Sequence, residues 1–569
     1  MNVFLSQQNY HVGNFQLNKD KILGEVEWAK NAGADLIVFS ELSICGYPAR
    51  DFLEFEDFIA QCEAAVLEIA AYSNEIGIIV GAPTRNPIKE GKDLFNSALL
   101  LYSGKIMGQA NKTLLPNYDV FDEYRYFEPA YEWNTVEFKG KRIALTICED
   151  IWNLGDNPLY RICPMDELMK QSPDLMINIS ASPFDYDHDD DRKEVIRMNV
   201  LKYKIPMIYC NAVGSQTEIV FDGGSLVYAA SGELKKELKY FEEDRCLIST
   251  NDLYNPSPDS YSSASRVGKD MRVAKSTDPA QILDYLTNDH NIDQVKSALV
   301  LGVKDYFQKM GFRKAILGSS GGIDSAVALC IAAEALGADN VTAVLMPSQF
   351  SSDHSVTDAV ALSTTLGTPY HILPIATIYE SFLHSLDPLF ANTPFGIAEE
   401  NIQSRSRGNL LMALANKFSY VLLNTSNKSE LATGYGTLYG DMAGGLSILG
   451  DLYKSQVIAL ARFINQQSNS IPEHILIKPP SAELRPNQKD SDSLPEYEVL
   501  DRILYLYIER RKGPQEIIQL GFDPSLVMRV LKMVNMNEYK RNQFCPIIRV
   551  STKAFGIGRR MPIVARYLS

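Results

Sequence analysis

Residues 314–329 read Lys-Ala-Ile-Leu-Gly-Ser-Ser-Gly-Gly-Ile-Asp-Ser-Ala-Val-Ala-Leu. A short apolar run enters a turn of small residues and leaves as an apolar, alanine-rich stretch, a pattern that predicts strand, loop and helix in an α/β fold. The centre, Ser320-Gly321-Gly322-Ile323-Asp324-Ser325, is a phosphate cradle. Unpaired N–H groups and the positive end of the macrodipole at a helix start attract an anion, and glycines remove the side chains that would keep it away. Gly318, Gly321 and Gly322 give that access, with Ser319 and Ser320 between them. A Walker A loop carries a Lys before its last Ser or Thr; Asp324 stands there instead, which favours a Mg2+ ligand over a point positive charge. The loop suits a pyrophosphate leaving group, although Gly-Ser turns of this shape also open helices in α/β folds that bind nothing.

The motif resembles the pyrophosphatase loop of the N-type ATP pyrophosphatases, the group that contains GMP, asparagine and NAD synthetases. That resemblance implies a doubly wound parallel sheet and a reaction in which ATP is cleaved to AMP and pyrophosphate while a carbonyl oxygen is adenylated. The loop alone does not choose among these enzymes.

Outward from the loop, 569 residues are enough for two or more domains, each with its own core. A net charge of -15 argues against a nucleic-acid or anionic-membrane surface. No apolar run reaches membrane length, and Met-Asn-Val-Phe-Leu-Ser-Gln-Gln at the N-terminus has no signal layout, so a soluble cytoplasmic protein is expected. The 8 cysteines and 7 histidines are scattered, which points to neither a disulfide framework nor a zinc site. Residues 1–250 alternate β-like runs (34–39, 76–80, 142–147, 175–179, 207–209) with helical segments such as 58–72, and form a first α/β domain. Residues 251–285 form a connector, its Ser, Pro and Asp-rich part reading as a linker or a long ordered crossover. A second strand-helix alternation fills 286–569.

In the first domain Cys148 ends the run 142–147, where packing alone would account for a thiol. Glu41, closing another apolar run, and Lys112, in Asn-Lys-Thr-Leu-Leu-Pro, change that reading: with Cys148 they supply a base, a cation and a nucleophile. In this order and context they resemble the Glu-Lys-Cys triad of the nitrilase superfamily of amidases, a likeness that covers the first 250 residues. It implies an α-β-β-α sandwich and an amidase in which Glu41 takes the thiol proton, Cys148 attacks an amide carbonyl and Lys112 stabilises the oxyanion. By the same resemblance Glu123 supports the triad, and Tyr118, Glu149, Ser180 and Ser182 shape a glutamine pocket. Arg192 matches a substrate-contacting Arg, but residues 185–192, Asp-Tyr-Asp-His-Asp-Asp-Asp-Arg, are more acidic than the family's stretch and read as a solvated loop.

In the second domain residues 341–346 read as the next parallel strand. Residues 400–407 place Asn401, Gln403, Arg405 and Arg407 ahead of a helix over 408–417. A strand near 421 then enters a polar turn with Thr425, Asn427 and Glu430, whose carboxylate can complete a Mg2+ site with Asp324. This order of motifs resembles the NAD synthetase family, in its glutamine-using branch. The resemblance implies ATP contacts from the loop (Gly318 to Ser325), Thr425, Lys454 and Ser481. It also implies Mg2+ on Asp324 and Glu430, deamido-NAD contacts from Asn401, Glu430 and Lys540, and a homo-oligomer working on small molecules. Two other readings stand beside it: an amidotransferase for a different adenylated acceptor, and a scaffold that keeps a degenerate amidase fold.

Overall fold

The computed structural model describes residues 1–154, 159–186, 188–254, 277–486 and 488–568. The chain divides into two compact units, Met1–Asp270 and Met271–Ser569. Of the expected connector, Thr250–Leu253 form a 3-10 turn and Pro279–Thr287 an α-helix, while residues 255–276 lie outside the described residues. No helix among the described residues is long and apolar enough to cross a membrane.

The first unit contains two six-stranded sheets. One runs Asp244–Ser249, Asn2–Gln7, Leu36–Val38, Gly77–Arg85, Leu94–Tyr102, Lys105–Asn111; the other runs Leu234–Glu237, Leu226–Tyr228, Met207–Asn211, Leu175–Ser180, Lys141–Ile147, Val136–Phe138. Their facing sides follow from period-two alternation. Ile143, Leu145 and Ile147, with Ile177, Ile179, Ile208 and Cys210, meet Val3, Leu5, Val38, Ala98 and Leu100 in one core. The opposite parity, Ala144, Met176, Met207 and Tyr209, packs on Met165 and Leu168 of the helix Pro164–Met169 and on Ile196 and Val200 of the helix His188–Tyr203. Helices Phe15–Asn31 and Glu56–Ala70 pack together, the second against the strand Gly77–Arg85, which makes the expected α-β-β-α layering.

The acidic run does not behave as a solvated loop. Asp185 and Tyr186 are buried, Asp187 lies outside the described residues, and a helix begins at His188. Arg192 on that helix is fully buried and forks onto Asp222, Nη1 to Oδ1 at 2.8 Å and Nη2 to Oδ2 at 2.7 Å. A desolvated bidentate pair of this kind leaves a naked charge when one partner goes. Asp222→Ala is therefore expected to destabilise the first unit by about 3–5 kcal/mol, with Asp222→Leu combined with Arg192→Met recovering most of it. Urea unfolding followed by tryptophan fluorescence measures this, and a loss below about 1 kcal/mol for the single variant would contradict it.

The second unit is built on a five-stranded, all-parallel sheet in the order Tyr370–Ile372, Val341–Leu345, Ala315–Gly318, Val421–Asn424, Leu446–Ser447. The first strand in the chain lies at the centre, so the winding reverses there and leaves a crevice beyond the C-terminal ends of Ala315–Gly318 and its neighbours. The glycine loop fills that position and feeds the helix Ile323–Leu336. Gly321 has φ +73°, and a Cβ there would lie 2.3 Å from the Ser355 carbonyl oxygen, so only glycine fits.

One boundary differs from the sequence expectation. The helix expected from 408 runs Ile397–Phe418 and takes in 400–407. The Glu399 carboxylate accepts the Gly396 N–H at 2.8 Å, and Glu399 and Glu400 stand at the positive end of the helix, which stabilises an earlier start. Gly408 inside the helix lets the loop at Tyr439 and Gly440 approach: a Cβ would be 3.0 Å from the Gly440 carbonyl oxygen.

Candidate active sites

In the first unit three strand ends bring the triad together. Lys112 follows the strand Lys105–Asn111 and is fully buried, with Nζ 2.8 Å from both Glu41 Oε1 and Glu123 Oε1. Glu41 lies just past Leu36–Val38; its Oε1 also accepts the Asn96 amide at 2.7 Å and its Oε2 the Ala181 N–H at 2.9 Å. Tyr47 donates its hydroxyl to Glu123 Oε1 at 2.8 Å. Cys148 ends the strand Lys141–Ile147 with φ +43° and opens the 3-10 turn Cys148–Ile151. A left-handed residue other than glycine is costly and persists where its surroundings fix it. Asp150 does that fixing: its carboxylate accepts the N–H groups of Thr113 and Leu114, each at 2.9 Å, and of Ile147 at 3.0 Å, so it ties the lysine loop to the cysteine turn.

Electrostatics assigns the resting charges. Burial opposes the Lys112 charge, but Glu123 and Glu41 outweigh it and hold the ammonium well above its ordinary range. Burial pushes the Cys148 thiol up, the Glu41 charge adds to this, and Lys112 pulls the other way. The raised value leaves Cys148 as a thiol, with the buried Glu41 and Lys112 charges acting on it in opposite directions. Burial also pushes Glu123 up to about 7, with Lys112 opposing and Glu41 reinforcing.

A carboxyl raised from 4.5 to about 7 on folding keeps a proton that the unfolded chain releases. Its contribution to stability is complete below the unfolded value and lost as pH rises through the folded one. Glu123→Gln should thus shrink the fall in first-unit stability between pH 5 and pH 7.5, read from urea midpoints at each pH. A fall as large as in the wild type would contradict the assignment.

The residues expected to hold glutamine are partly assembled. The Tyr118 hydroxyl lies 3.0 Å from both Glu149 carboxylate oxygens, and Glu149 is buried, which raises its pKa. Ser180 accepts the Tyr209 hydroxyl at 3.0 Å. The Ser182 N–H donates to Asn211 Oδ1 at 2.9 Å. Tyr160, which no motif singles out, also donates to Glu149 Oε1, at 3.1 Å.

In the second unit a cavity of about 300 Å3 opens at the strand ends. Gly318, Ser319, Ser320, Gly322, Ile323, Asp324 and Ser325 line it from the loop, with Thr425, Glu430, Lys454 and Ser481 from later segments. Gly321 stands behind, against Ser355. Lys454 Nζ is 2.5 Å from Asp324 Oδ2 and 4.0 Å from Glu430 Oε1, and Asn427 donates to Asp324 Oδ1 at 2.9 Å. Asn427 also caps the helix Lys428–Thr433 that carries Glu430. A third carboxylate, Asp490, lines the same cavity and accepts the hydroxyls of Tyr497 at 2.9 Å and Tyr435 at 3.2 Å.

Burial raises the Glu430 pKa well above its ordinary range, with Asp324 and Asp490 adding and Lys454 opposing. Lys454 Nζ bonds Asp324 at 2.5 Å and lies 4.0 Å from Glu430, so the ammonium pairs with the loop carboxylate. Asp324 and Glu430 are carboxylates of the kind a divalent cation takes, and both line this cavity.

Asn401 and Lys540 are not among the residues lining this cavity. Both hold one loop: Asn401 Oδ1 accepts the Thr437 hydroxyl at 2.7 Å, and Lys540 Nζ donates to the Gly434 and Gly436 carbonyls at 2.8 Å each. That loop carries Tyr435, Gly440 and Asp441 into the cavity wall. Arg407, deep in the same wall, donates from Nε to the Met346 carbonyl at 3.0 Å, and burial holds its pKa down to about 10.

Comparison with known proteins agrees with both halves. Residues 5–254 match the carbon-nitrogen hydrolase family and residues 295–544 the NAD synthase family. The glutamine-dependent NAD(+) synthetase of Synechocystis is 42% identical over 572 residues, covering 99% of each chain. That of Thermotoga maritima is 39% identical over 578 residues, covering 100% of this chain and 99% of the relative. Among solved structures, the glutamine-dependent NAD+ synthetase of Acinetobacter baumannii in complex with ADP is 35% identical, with a TM-score of 0.74 over 99% of this chain and 98% of that one. The Cytophaga hutchinsonii enzyme shares the fold at a TM-score of 0.80 and 20% identity, covering 99% of this chain and 98% of that one.

Proposed function

The chain belongs to the glutamine-dependent NAD(+) synthetase family, and from that membership we propose that it amidates deamido-NAD to NAD, using ATP and the amide nitrogen of glutamine. The observation that carries the reading is that Lys112 is clamped between Glu41 and Glu123 beside Cys148, in a chain whose second unit sets Asp324 and Glu430 around a glycine loop.

In the first unit Glu41 takes the Cys148 proton as Sγ bonds to the amide carbon and the carbonyl π pair moves onto oxygen. Lys112, held as an ammonium, faces that oxyanion. Collapse breaks the C–N bond, and the proton on Glu41 leaves with ammonia. Water, deprotonated by Glu41, then cleaves the thioester to glutamate. Tyr118, Glu149, Ser180 and Ser182 shape the glutamine pocket.

In the second unit the nicotinate carboxylate attacks the α-phosphorus of ATP, and the bond to pyrophosphate breaks against the loop N–H groups. Ammonia adds to the acyl-adenylate carbonyl and AMP departs. Mg2+ on Asp324 and Glu430 would supply positive charge opposite the phosphate oxygens. Lys454, Thr425 and Ser481 contact ATP. Glu430 contacts deamido-NAD, and Asn401 and Lys540 shape the 434–441 loop against the same substrate.

The proposed division is 1–250 for the amidase, a connector 251–285 and 286–569 for the synthetase; the two family matches, over 5–254 and 295–544, support two catalytic domains. A cytoplasmic homo-oligomer completes the proposal. The test is stoichiometry: each NAD formed should accompany one AMP, one pyrophosphate and one glutamate. ADP and orthophosphate in place of AMP and pyrophosphate would overturn it.

A further inference from the structure

Asn96 breaks the apolar parity of its strand. Ala98 and Leu100 on Leu94–Tyr102 face the core between the two sheets, and Asn96 shares their side and is fully buried. An amide in such a place needs partners of its own. Its Nδ2 donates to Glu41 Oε1 at 2.7 Å, while its backbone carbonyl accepts the Lys112 N–H at 2.8 Å. One residue thus holds the base through its side chain and the cation through its main chain. Its Oδ1 is buried without a protein partner, and only this orientation of the amide offers Glu41 a donor.

The geometry points to Asn96 as a positioning residue for the amidase step, one that holds the Glu41 carboxylate in place while Lys112 serves the substrate. Glu41 Oε1 shares Lys112 with Glu123. When the substrate carbonyl becomes an oxyanion, it draws on the same ammonium, and Glu41 would swing with it or lose its charge partner. The Asn96 amide and the Ala181 N–H do not depend on Lys112, and they hold the two carboxylate oxygens separately. No bond changes at Asn96: the proton still passes from Cys148 Sγ to Glu41, and the electron pair still moves to the amide oxygen.

The inference rests on the amidase reading of the first unit. Its test is the pH profile of glutamine hydrolysis by the full chain, in the wild type, in Asn96→Leu and in Asn96→Asp. Removing a hydrogen bond to an ionised group makes that group easier to protonate, by about one pH unit. The acidic limb of kcat/KM should move up by about that much in Asn96→Leu and further in Asn96→Asp, which adds a like charge. The glutamine KM should stay within about twofold, and ammonium-driven NAD formation should not change. An acidic limb that stays in place in whichever variant retains activity would overturn the role of Asn96, and the Asp variant decides if the Leu variant does not fold. A wild type that does not hydrolyse glutamine at all would instead sink the amidase reading.

Discussion

Asp324→Asn is expected to lower NAD formation by about three orders of magnitude with either glutamine or ammonium, leaving wild-type glutamine hydrolysis in place. Asp324 stands at the helix start inside the phosphate cradle, 2.5 Å from Lys454, and converges with Glu430 on the cavity. Its neutral amide keeps the shape and the Asn427 contact but takes away half of the proposed divalent-cation site. Glu430→Gln should act in the same direction, and the double variant should fall well short of the product of the two losses, because both remove one charge arrangement. The check is initial rates over a Mg2+ titration: the single variants should need more Mg2+ for half-maximal rate. A rate within tenfold of the wild type at saturating ATP would contradict the assignment.

Lys112→Met carries the second large effect, on the other reaction. Lys112 is the cation that Glu41 and Glu123 share, each at 2.8 Å, and it has no exposure to water. Its loss leaves two buried carboxylates facing one another and the oxyanion without its charge. Glutamine hydrolysis should drop by about three orders of magnitude or more, and the first unit should lose about 3–5 kcal/mol of stability. Ammonium-driven synthesis should survive below the lowered unfolding temperature. Combining Lys112→Met with Glu41→Gln should cost little further activity, since the two act as one device. Hydrolysis within a factor of ten of the wild type would exclude Lys112 from the chemistry.

What the sequence made legible follows from locality. The strand-loop-helix at 314–329 carries its own instructions, glycines at the turn and an apolar helix after it, and the structure places Ala315–Gly318 and Ile323–Leu336 there. Cys148 at the end of an alternating apolar strand was readable in the same way, because the period that buries Ile143, Leu145 and Ile147 also fixes where the strand must stop.

Partners set by long-range packing were not readable. Asn96 meets Glu41 across 55 positions, and Asp490 lines the cavity while accepting the hydroxyls of Tyr435 and Tyr497 from other segments. Tyr160 joins Glu149 from a loop without periodicity. A signal existed for Asn96, a polar residue on the core-facing parity of an apolar strand. The start of the helix Ile397–Phe418 was obscured because its polar, arginine-rich first half resembles a solvated approach, while the cap at Gly396 and Glu399 lies upstream of it.

The division of labour between the two units is read most directly from NAD formation from deamido-NAD, ATP and Mg2+ by Cys148→Ala, once with glutamine and once with ammonium. The glutamine-driven reaction is expected to disappear while the ammonium-driven rate stays within about twofold of the wild type, because the nucleophile and the glycine-loop cavity serve separate steps. Equal loss with both nitrogen sources, or glutamine-driven synthesis that persists without the thiol, would contradict it.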